Sequence, residues 1–160
     1  MPGKSVVLKS TQIILNVVQV FYLFIIAGGL LTNIYNPDII QMNRTLNFIA
    51  TLIFGGLGFY IIILLQQVVR TVALKDPFCR ANVKRFRAIG YAVFALGALI
   101  TVINYPHRGD AGFQLIGTHY GGVGPEILIF ILLGCLAMLL SEIFSEALVI
   151  KEENETVGQK

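Results

Sequence analysis

The sequence predicts an all-α integral membrane protein, a four-helix antiparallel bundle with both termini cytoplasmic and residues 1–160 forming a single transmembrane domain. Three observations predict it. Of the 160 residues, 56% are hydrophobic and only 13% charged, where about a quarter is usual in a soluble domain. Four continuous apolar runs approach or exceed the roughly 20 residues that cross a hydrocarbon core of ~30 Å. Lysine and arginine fall almost entirely on alternate connections. A soluble chain of this size needs far more polar surface than this one has. With two cysteines and a net charge of +3, a disulfide scaffold and a direct nucleic-acid binder are both excluded as classes.

The first run covers about residues 11–32 and follows Lys4 and Lys9. It is longer than a signal-peptide core of ~7–15 residues and reads as a retained helix. The second covers about 45–69 and ends at Arg70. The third, about 88–103, is the shortest, with Arg87 and Tyr105 placed as snorkelling or interfacial ends. The fourth covers about 127–150, with Glu142 and Glu146 in its final third. Helices are required because an open strand would leave its backbone unsatisfied in lipid. The first outer connection, Asn33 to Arg44, turns at Asn36-Pro37-Asp38, whereas the second, Asn104 to Pro125, is long and glycine-rich.

Orientation follows from Lys and Arg alone. Of the 12 such residues, Lys4, Lys9, Arg70, Lys75, Arg80, Lys84, Arg85, Arg87, Lys151 and Lys160 lie on one side. Arg44 and Arg108 are left for the other. The basic side is therefore read as cytoplasmic, and the protein as a multi-pass component of the plasma (inner) membrane.

Polar side chains inside a span are costly and mark structure or function. Asn16 and Gln19 share a helix face near one end of the first span. Gln66, Gln67 and Arg70 reach the same end of the second, and Lys84, Arg85 and Arg87 open the third. Glu142 and Glu146 lie one turn apart on the fourth, beside Ser141 and Ser145. This pattern predicts a polar cluster of Asn16, Gln19, Gln66, Arg70, Arg87, Glu142 and Glu146 above the cytoplasmic mouth, with the outer two-thirds of the bundle apolar. Its glutamates would pair with Arg70 or Arg87 and accept from Gln66 or Gln19. Three roles stay open for it: a structural tie between helices, a switch, or a proton or ion path.

No catalytic constellation is present, so enzyme is the weakest class, and no cofactor is implied. His107, Asp110 and His119 have no metal-site spacing and read as ordinary loop residues. Cys79 and Cys135 are too far apart to pair. Glycines in the spans, with the small-residue ridges Ala88-x-x-x-Ala92 and Ala137-x-x-x-Ser141-x-x-x-Ser145, permit close helix packing. That packing is either intramolecular or between the protomers of a homo-oligomer.

The middle connection is the most distinctive stretch. Pro77 prevents a continuous helix from Arg70, and a new helix starts near Arg80. Its Lys84, Arg85 and Arg87, with Phe78 and Phe86 beside them, form a candidate surface for anionic lipid or a cytoplasmic partner. Asp76-Pro77-Phe78, then Asn82-Val83-Lys84-Arg85-Phe86-Arg87-Ala88-Ile89-Gly90, resemble a family of small bacterial four-span membrane proteins catalogued as domain of unknown function 2975. Ser141-Glu142-Ile143-Phe144 and Lys151-Glu152-Glu153-Asn154-Glu155-Thr156-Val157 are similar to that family's end. The chain departs from the family at Cys79-Arg80-Ala81, where relatives carry a hydroxyl residue as helix cap, followed by proline and an acid. The family has no established activity. Its members are often encoded beside a small helix-turn-helix regulator, so the resemblance implies a regulatory membrane protein with that kind of partner. The reading is thus a non-enzymatic sensor or regulator, with a small transporter, channel or immunity-type component as the alternative.

Overall fold

In the computed structural model, which describes residues 2–35, 44–74, 77–105, 114–118 and 121–157, the apolar runs form four long helices. They are α1 (Pro2–Tyr35), α2 (Arg44–Ala73), α3 (Arg80–Asn104) and α4 (Glu126–Val157). Within them, Lys9–Tyr35, Thr45–Ala73, Arg80–Asn104 and Glu126–Thr156 are each long and apolar enough to cross a bilayer. At 1.5 Å per residue the 32 residues of α4 extend about 48 Å, well beyond a ~30 Å hydrocarbon core. Two short strands, β1 (Ile116–Thr118) and β2 (Gly121–Val123), pair antiparallel with Gly117 opposite Gly122.

The helices pack in chain order: α1 on α2, α2 on α3, and α3 most extensively on α4. α3, the shortest, is the centre. It buries Asn82, Ile89, Gly90, Ala92, Val93, Leu96 and Gly97. Leu64, Ile89, Val93 and Ala137 form the core where α2, α3 and α4 meet. α1 is peripheral, and its outer face, with Phe21 67% and Phe24 73% exposed, is uncovered by protein.

Two seams differ in chemistry. Between α3 and α4, small residues receive large ones: Gly97 faces Phe130, Gly134 faces the Phe94 ring, and Gly90 faces Met138. Backbones approach closely there because no Cβ intervenes. Between α1 and α2 the seam joins close packing, with Gly55 facing Ile26, to a set of side-chain hydrogen bonds. Gln66 Nε2 donates to Gln19 Oε1 at 2.6 Å and to Asn16 Oδ1 at 3.2 Å. The Tyr22 hydroxyl donates to the Phe54 carbonyl at 3.2 Å, in space left by Gly58. Asn47 Nδ2 donates to Asn33 Oδ1 at 3.0 Å.

Several boundaries differ from the sequence reading. α1 runs back to Pro2 and α4 continues to Val157, whereas the third helix begins at Arg80, where the break at Pro77 led the sequence reading to expect it. Asn33, placed in a connection by the sequence, lies within α1 and is buried. Its bond to Asn47, with that of Tyr22, means that the end away from the termini is not purely apolar. An isolated amide looks like a turn residue in sequence, whereas its partner lies 14 positions away. The Asn36-Pro37-Asp38 turn and His107, Asp110 and His119 fall outside the described residues.

Candidate functional site

The polar groups gather at the end that carries both termini, where the loop between α2 and α3 is fastened. Asn82, 0% exposed, is its hub. It occupies the third position of α3, and its Nδ2 reaches back to donate to the Pro77 carbonyl at 2.8 Å. Its Oδ1 accepts from Arg85 Nη1 at 2.8 Å and lies 2.9 Å from the Thr71 hydroxyl of α2. The carbonyl on one side and the guanidinium on the other admit only this amide orientation. Cys79 is the residue before α3 and makes no side-chain cap bond. The Asn82 side chain fixes the entry angle instead, much as the third residue of a capping box reaches back.

Arg85 extends the fastening to α2, with Nε donating to Gln67 Oε1 at 3.1 Å and Nη1 contacting the Gln67 carbonyl at 3.5 Å. From α4, the buried Ser141 hydroxyl donates to the Val83 carbonyl at 2.9 Å. Phe144 packs on both Phe86 and Phe78, with ring centroids 5.0 and 5.5 Å apart. Phe78 and Phe86 thus tie the loop to α4, while Phe78 remains 40% exposed. The stretch around Pro77–Arg87 and the stretch Ser141–Phe144, far apart in sequence, face each other across one junction.

The seven residues expected in a single polar cluster divide into separate groups. Asn16, Gln19 and Gln66 join α1 to α2. Arg70 lines an adjoining cavity of about 460 Å³ with Gln12, Asn16, Ile63, Gln66 and Gln67. Arg87 and Glu142 approach at 3.9 Å between α3 and α4, with both side chains more than half exposed. Glu146 is exposed and makes no ion pair or hydrogen bond among the described residues. The reason is the serial packing: α1 makes no substantial contact with α4 among the described residues, so α1 amides do not reach the α4 carboxylates.

The predicted cationic surface also divides. Arg85 is engaged within the fold, whereas Lys84 is exposed. Arg80, outside the expected set, pairs with Glu152 at 3.1 Å. That bridge lies about 10 Å beyond Arg87 along α3. Asn82, Thr71 and Ser141 were not singled out as site residues, because neutral side chains in an interfacial motif give no charge signal. Among the described residues no three His, Cys, Asp or Glu side chains are placed to hold a metal ion. The family model described as "Protein of unknown function (DUF2975)" matches residues 7–157. No curated protein and no solved structure gives a match.

Proposed function

We propose that this chain, which belongs to the family described as protein of unknown function (DUF2975), is a non-enzymatic regulator that receives a cytoplasmic partner at the end carrying its termini. The observation that supports the reading is the charged rim standing above a braced junction. Lys84 and Arg80 are exposed on the first turns of α3, and Lys151, Glu152, Glu153 and Glu155 are exposed on the stretch of α4 that outruns the membrane. A braced junction under exposed surface charges suits specific docking, since the helices that carry the charges are held in place before the partner arrives. The basic excess on this side supports a cytoplasmic orientation for it. A small helix-turn-helix regulator, or another acidic or mixed-charge protein, is the proposed partner, and the membrane is the bacterial plasma membrane.

The test is an affinity capture of the tagged chain from native membranes in low and high salt. A docked partner should be recovered at about 0.05 M salt and reduced at about 0.5 M, where screening shortens the range of exposed charges. Lys84→Glu should abolish recovery, while Arg85→Gln should act through loosening of the junction and lower thermal stability. Recovery that is identical for the wild type and Lys84→Glu would discard this docking surface. Loss of a transmembrane flux in Glu142→Gln or Glu146→Gln, with partners unchanged, would favour the transporter alternative.

A further inference from the structure

Arg70 lies in the last turn of α2, and its guanidinium makes no hydrogen bond or ion pair among the described residues. It lines the 460 Å³ cavity between α1 and α2 together with the side-chain amides of Gln12, Asn16, Gln66 and Gln67. Gln66 spends both Nε2 protons on Gln19 and Asn16, so the donors left in this lining are the Arg70 guanidinium and the side-chain amides of Gln12, Asn16 and Gln67, with no carboxylate among them. Lys9 lies one helical turn before Gln12 on α1 and adds positive charge at that end.

A second groove, of about 380 Å³, begins at the same Asn16 and continues along α1 over Val17, Val20, Phe21 and Phe24. It is almost wholly apolar, and all its lining side chains stand on α1. From Gln12 to Phe24 the two grooves together extend about 18 Å along the helix. They run from the membrane boundary at Arg70 towards the middle of the span.

We propose that the α1–α2 cleft is a binding site for an anionic phospholipid, its phosphodiester held by Arg70 and the amide donors of Gln12, Asn16 and Gln67 and an acyl chain lying in the Val17–Phe24 groove. The juxtaposition selects the ligand class. A cation beside neutral amides matches a phosphate, and a guanidinium engages it through two parallel donors. A basic cleft between transmembrane helices at the membrane boundary is where an anionic headgroup resides. The adjoining apolar groove distinguishes a lipid from free phosphate, which has nothing to place there. This site is separate from the docking rim, and its success or failure is independent of that reading.

The experiment uses the full chain purified in detergent and loaded with mixed phosphatidylglycerol and phosphatidylcholine. Native mass spectrometry counts the lipids that survive detergent exchange. The wild type should retain phosphatidylglycerol in preference by about tenfold, the effect of one charge-assisted contact. Arg70→Gln should remove that preference, and Lys84→Gln, a charge loss at the same end but outside the cleft, should leave it intact. Gln12→Leu changes the opposite wall without changing charge and should weaken retention about threefold. It decides the matter if Arg70→Gln does not fold. Three results would overturn the proposal. They are no preference in the wild type, equal losses in Arg70→Gln and Lys84→Gln, or retention unchanged in Gln12→Leu when Arg70→Gln is unfolded. Thermal stabilisation by inorganic phosphate as large as that by phosphatidylglycerol would assign the cleft to a free anion and overturn the lipid as its occupant.

Discussion

At Asn82 a single amide answers three groups from three segments: the Pro77 carbonyl, the Thr71 hydroxyl and the Arg85 guanidinium. The Asn82 side chain is fully enclosed, so its polar atoms are satisfied by these groups and not by bulk water. Asn82→Ala therefore strands a carbonyl and a guanidinium proton and should cost about 2–3 kcal/mol, seen as a lower midpoint in detergent thermal unfolding. Ser141→Ala removes one hydroxyl whose acceptor keeps its helical bond, and about 1 kcal/mol is expected. Glu142→Gln should shift the same midpoint by under about 1 kcal/mol, since its pair with Arg87 is long and open. A loss larger than that of Asn82→Ala would reverse the ranking of these side chains. The charged residues were visible in the sequence because ions stand out in an apolar chain. Asn82 was visible only as part of a distinctive stretch, since neither its burial nor its partners is encoded in local pattern.

Among the helices, the α3–α4 seam depends on missing side chains, and the α1–α2 seam adds side-chain hydrogen bonds to its glycine contacts. Gly134 leaves room for the Phe94 ring, and a Cβ at Gly97 would stand 2.6 Å from Phe130 Cβ. Gly97→Val and Gly134→Val should push the helices apart and cost about 2–3 kcal/mol, the scale of overpacking in a filled interior. By contrast, a Cβ at Gly56 meets nothing within 4 Å. Gly56→Ala should be neutral or stabilise by up to about 1 kcal/mol, the helix-propensity difference. Parallel thermal unfolding of the three variants separates the two classes. Four spans were legible from length and apolarity alone, and the break at Pro77 was legible from its missing N–H. The extra turns of α1 and α4 were not, because charged residues such as Lys9 and Glu152 end an apolar run without ending a helix. The strands β1 and β2 also escaped notice, since three-residue pairs in a glycine-rich connection have no periodicity to detect.

For the whole molecule, the antiparallel arrangement places the first turns of α3 and the last turns of α4 at one end, joined by Arg80 and Glu152. It places β1 at the other. Single cysteines at Lys84, Glu155 and Ile116, introduced with Cys79→Ser and Cys135→Ser, should divide accordingly. In sealed right-side-out vesicles an impermeant maleimide should label Ile116→Cys and spare the other two, and inverted vesicles should give the opposite result. Labelling of Lys84→Cys and Ile116→Cys from the same side would refute the topology. The number of spans and their alternation were readable from hydropathy and basic residues. The serial packing was not, because any helix with an apolar surface can neighbour any other, and side-chain fit alone chooses among the pairings. That packing bears on biogenesis. Each helix after the first leaves the ribosome with one packing neighbour already made, so α2 meets α1 and α3 meets α2 in turn, and α4 closes the most extensive seam last. Contacts of short sequence separation close quickly, and the chain can assemble in the membrane in the order of its synthesis.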